Sequence, residues 1–259
     1  MLPRSRPIIL AVLVLMPLVA VLACGGSQPP AAKPAPVAAP PARPITELTK
    51  EMHDQLGKVT IVQHAVIRGD LETAATPAQW MADHQETAGF PPDTAGLVAD
   101  MKKFAATVAA AKDVKGAATG TAMLISYCGK CHTAAKVKPV FPDLPKPVSG
   151  KSAAAHMLEH QWAVDLMYQG LAGPSDQLWT KGVEALQAAP LAAKALPRDA
   201  SLTAGIAATE QKVHEQAGKA LKTTDLGSRV ALYAEVLAEC STCHSLHGRV
   251  WGPGLPVAR

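Results

Sequence analysis

MLISYCGKCH at 123–132 and VLAECSTCH at 236–244 end in one shared pattern, C-x-x-C-H. Together the two copies take Cys128, Cys131, Cys240 and Cys243, four of the five cysteines in the chain. On a helix, cysteines at i and i+3 lie on one face, and the residue at i+4 from the first shares that face. Here that residue is His132 or His244. Leu124-Ile125 and Val236-Leu237 stand in the same register before Cys128 and Cys240. Each motif therefore closes an amphipathic helix.

Two thiols and an imidazole on one helix face suit covalent c-type haem, the thiols meeting two porphyrin vinyl groups and the histidine the iron. Paired cysteines also serve as exported disulfides, or as one zinc site shared by both pairs. Neither use needs a histidine directly after the second cysteine in both copies. The expectation is two covalently bound haem c groups, on Cys128, Cys131 and His132 and on Cys240, Cys243 and His244.

Working outward, the apolar residues recur at helical spacing and the chain repeats itself. Leu48, Met52, Leu56, Val59 and Val66 mark one helix face that ends near Gly69-Asp70, and Met157, Gln161, Val164, Tyr168 and Leu171 mark another ending before Gly173-Pro174. Aligned on the methionines, Met52, Gln55 and Val59 match Met157, His160 and Val164. Short helices follow around Trp80 and around Trp179, Val183 and Leu186. Third helices carry Leu97, Met101, Phe104 and Val108, or Leu202, Ile206 and Val213. Four helices per half, twice, predict an all-α chain with haem domains at 46–137 and 151–248. A Pro-rich linker at 138–150 joins them, and a tail at 249–259 follows. Aromatic residues are only 4% of the chain, so buried porphyrin would supply apolar bulk that the side chains lack.

Only residues 245–259 follow His244, too few for the common small cytochrome c, whose motif stands near its N-terminus. A motif that ends a four-helix unit instead resembles the class II family, cytochrome c′ and its low-spin, methionine-ligated relatives. The resemblance implies two tandem four-helix bundles, each with the start of its first helix level with the haem at the end of its fourth. It also implies Met52 as second iron ligand opposite His132, and Met157 opposite His244. His160, one turn from Met157, is the rival ligand, and its counterpart Gln55 is a poor one. His53, His64, His84, His214 and His247 read as surface or supporting residues. Lys136 and Arg249, shortly after the haem histidines, are candidate propionate partners. His156-Met157-Leu158-Glu159-His160 also spells the inverted zinc-peptidase pattern H-x-x-E-H. No third ligand is identifiable downstream, and the equivalent segment at 51–55 lacks the pattern, so both histidines read as flanking the haem edge.

The N-terminus predicts export from the cytoplasm. Arg4 and Arg6 precede an apolar run from Ile8 to Ala23, too short for a membrane span and suited to a secretory signal over 1–23. Val21-Leu22-Ala23-Cys24-Gly25 resembles a bacterial lipobox, implying lipidation at Cys24 and anchoring on the periplasmic side of an envelope membrane. SQPPAAKPAPVAAPPARP (27–44), within a tether at 24–45, favours extended polyproline II. The net charge of +4 falls once Arg4 and Arg6 depart, and no basic cluster with aromatics points to nucleic acid.

The expected function is one-electron transfer between exported redox proteins or to a membrane-bound oxidoreductase, with no enzymatic activity. Met ligation keeps the iron six-coordinate and raises its potential relative to harder ligands. An iron open on one side would instead make a gas (NO or CO) binding or sensing protein, and a haem peroxidase is a weaker alternative.

Overall fold

Local sequence dictates the helix ends. Asp70, Asp113, Ser152, Ser175 and Asp225 each accept a hydrogen bond from the backbone N–H three residues on, satisfying a donor that the first turn leaves without a partner. Gly69, at φ 71°, takes the left-handed conformation that ends the first helix. The structure is a computed structural model that describes residues 44–84, 89–188 and 200–251, with residue 200 and residues 247–251 by backbone alone. The leader at 1–23, Cys24 and nearly all of the tether lie outside the described residues, as do the side chains of His247 and Arg249.

Among the described residues eight α-helices result: α1 (Ile45–Ile67), α2 (Leu71–Asp83), α3 (Ala95–Ala109), α4 (Val114–Ala134), α5 (Ala153–Ala172), α6 (Asp176–Gln187), α7 (Ala200–Ala220) and α8 (Leu226–Trp251). One 3₁₀ turn, Pro92–Thr94, precedes α3, and no strand occurs among the described residues. The all-α expectation holds. In each half every helix packs on the next and the first also touches the fourth. No described helix is long and apolar enough to cross a membrane.

The halves share one core. Val59, Val62 and Val66 of α1, Leu124 and Ile125 of α4, and Val164 and Met167 of α5 belong to the same buried cluster as Tyr233 and Leu237 of α8. Between the halves α4 packs on α8 and α5, and α1 on α8. Two close approaches set these contacts. A Cβ on Gly129 would stand 2.2 Å from the Leu171 carbonyl oxygen at the end of α5. A Cβ on Gly69 would stand 2.8 Å from Ser241 Oγ on α8. Asp165 of α5 accepts from Gln63 of α1 and from Gln161, both at 2.8 Å.

The linker is docked along α5. Trp162 Nε1 donates to the Leu144 carbonyl, Gln169 to that of Pro142, and Phe141 meets Tyr168 edge-on.

Candidate functional site

The second motif opens onto a cavity of about 230 Å³. Cys240, Cys243 and His244 of α8 line it together with Met157, His160 and Val164 of α5. Helices α5 and α8 thus bring the C-terminal motif to the beginning of the half, and the two candidate distal ligands face the same space as the motif. Both cysteines are buried, and burial is the main reason their thiols are pushed up to about 12. Glu210 of α7, on the cavity wall, adds to the shift at Cys243.

One wall comes from the other half. His64, Ile67 and Arg68, at the end of α1, line the cavity beside α5. His64 Nε2 lies 3.3 Å from Asp165 Oδ1. Arg68 is exposed, a cation at the rim of an otherwise largely apolar cavity. Sequence reasoning placed His64 on the surface or in a supporting role and did not single out Arg68. A residue just past the end of an amphipathic stripe carries no signal of the helix it will meet.

At the first motif, His132 Nδ1 lies 2.7 Å from the Ala172 carbonyl oxygen at the end of α5. A carbonyl only accepts, so Nδ1 carries the proton, and in this tautomer the ring's lone pair lies at Nε2. This leaves Nε2 as the metal-binding atom and is the usual orienting partner of a ligating imidazole. Cys128 is pushed up to about 12, chiefly by burial and then by Cys131. The Cys131 thiol faces Thr94 and Asp93 of the 3₁₀ turn. Met52 is half-buried on α1. The cavity beside this motif is lined by Gly129, Lys130, Leu171 and Pro174, on the far side of α4; Met52, Cys128, Cys131 and His132 do not line it. The structure therefore gathers the second candidate set around one space.

The four described cysteines form no disulfide. Among the described residues the two pairs do not converge on one ion site either. Lys136 is exposed in a left-handed turn after α4.

H-x-x-E-H gains a candidate third ligand. His156 and His160 of α5 and Glu210 of α7 place one ligand atom each within 4.8 Å of the others. His160 is held down to about 3, first by burial and then by His156, so it is neutral in the physiological range. Its Nε2 is buried and has no hydrogen-bond partner. The sequence did hold a signal for Glu210: it stands four residues after Ile206 and three before Val213, on the apolar stripe of α7. A carboxylate there is carried into the interior, where it is 5% exposed.

No protein-family model matches the chain, and no curated protein or solved structure does.

Proposed function

We propose that this chain is an exported dihaem c-type cytochrome that transfers single electrons. In this reading its halves are tandem cytochrome c′-like bundles at 46–137 and 151–248, lipid-anchored at Cys24 on the periplasmic side of an envelope membrane. The cavity shared by Cys240, Cys243, His244 and Met157 carries the reading. It puts two thiols, an imidazole and a thioether around one largely apolar space, a donor set suited to haem c.

The residues divide the work. Cys128 with Cys131 and Cys240 with Cys243 would hold the porphyrins, and His132 and His244 the irons. Ala172, by accepting from His132 Nδ1, fixes that ring's tautomer and orientation. Met157 is the proposed second ligand in the second half, with His160 as its rival, and Met52 its counterpart in the first. Val164 and Val213 add apolar wall to the cavity, and Arg68 offers the charge that propionates would seek. Bound haem would supply the one-electron Fe(III)/Fe(II) couple. With the Met157 thioether and the His244 imidazole both held for the iron, no coordination position would stay open, which favours electron relay over gas binding or turnover. The partners would be exported redox proteins or a membrane-bound oxidoreductase.

Haem content tests the assignment. Replacing Cys240 and Cys243 by Ser should halve the haem per chain measured as pyridine haemochrome, and so should replacing Cys128 and Cys131. Unaltered stoichiometry in either variant overturns it.

A further inference from the structure

Beyond the two haem motifs, the described residues hold one cluster of strong ligands in the interior of the second half. His156 and His160 stand one turn apart on α5, and Glu210 reaches them from α7. Helices α5 and α7 each pack on α6 and on α8. A link between them therefore crosses the middle of this half, where bundles hold metal ions between facing helices.

The geometry favours an ion over a hydrogen-bonded pair. His156 Nε2 and Glu210 Oε1 are 2.6 Å apart, yet His156 Nε2 makes no hydrogen bond: the atoms are near without being aligned. His160 Nε2 is likewise buried without a hydrogen-bond partner. A buried imidazole nitrogen without a partner, beside a second imidazole held 2.6 Å from a buried carboxylate, is costly unless something binds all three together. Bonds of about 2.0–2.2 Å place neighbouring ligands of a tetrahedral ion about 3.3 Å apart, within reach of this cluster after small side-chain shifts. His214, one turn along α7, holds its Nε2 3.4 Å from Glu210 Oε1 and would orient the carboxylate.

We propose that His156, His160 and Glu210 bind one first-row divalent transition ion of the zinc class, separate from either haem iron. Two imidazoles and one carboxylate match that class better than calcium or magnesium, which take mainly oxygen ligands. Because His160 and Glu210 also line the cavity of the second motif, the ion shares a wall with that site. His160 is then committed to the ion, and Met157 is left as the ligand on the α5 side of the cavity.

The test uses the full-length, haem-loaded protein, stripped with a chelator, incubated with Zn²⁺ and desalted. Zinc and iron per chain are read by mass spectrometry, and haem is counted separately as pyridine haemochrome. We expect about one zinc per chain beyond the haem iron. His156→Ala and the isosteric Glu210→Gln should each lose it at unaltered haem content and helicity, while His53→Ala, on an exposed helix face, keeps it. No zinc retained by the wild type, or equal retention in His156→Ala and Glu210→Gln, overturns the proposal. Haem without zinc would remove this site and leave the cytochrome reading standing; zinc without haem would do the reverse.

Discussion

Gly129 and Gly57 show how much the same substitution depends on place. Both lie inside helices, but a Cβ at Gly57 would meet nothing within 4 Å, whereas at Gly129 it would drive into the Leu171 carbonyl. Gly57→Ala should therefore stabilise the protein by about 0.5–1 kcal/mol through helix propensity. Gly129→Ala should destabilise it by about 1–3 kcal/mol, because the α4–α5 contact must open. Urea midpoints of the two variants check both signs. At the second motif, Met157→Ala should create a CO-binding site at one haem and leave the other unaltered, read by the ferrous difference spectrum. If CO binding matches the wild type, Met157 is core filling. The cysteines, the histidines and the methionines were all legible as residues. Met157 and His160 were also legible as neighbours of the second motif, because antiparallel first and fourth helices bring their ends level. Glu210 was not, since its stripe position on α7 says that it is buried but not what it faces.

Among the elements, the helix starts rest on local chemistry. Asp70 is an example: its carboxyl is held below the usual carboxylate range, chiefly by the Thr73 hydrogen bonds at the start of α2. Asp70→Ala should cost about 1 kcal/mol near neutral pH. A folded-state value below the unfolded one means the contribution is present above about pH 4 and is lost as pH falls through the folded value. The gap between wild type and variant, followed by denaturation across pH, should close on acidification; a constant gap would remove the charged cap from the account. The tie between α1 and α5 through Asp165 had no local signal, since Gln63 and Asp165 are far apart in sequence. Asp165→Ala should cost about 1–3 kcal/mol by leaving the buried Gln63 amide without its acceptor.

Across the whole molecule, the halves complete each other. The first motif leans on the end of α5, through Gly129 against Leu171 and His132 against Ala172. The second leans on the end of α1, through Ser241 against Gly69 and through the cavity wall of Ile67 and Arg68. The repeat was visible in sequence as two sets of four helices. This exchange of helix ends was not, because it depends on glycines and small residues that permit approach without marking what approaches. Arg68→Ala, in the first half, should therefore lower the midpoint potential of the second-half haem alone, since losing a nearby cation favours the oxidised iron. The most direct measurement on the central claim is the optical spectrum of the purified protein, ferric and dithionite-reduced, with and without CO, alongside haem per chain. The account requires two haems with sharp low-spin reduced bands that CO leaves unmoved. A chain without haem, or a reduced spectrum shifted by CO in the wild type, contradicts a six-coordinate electron relay.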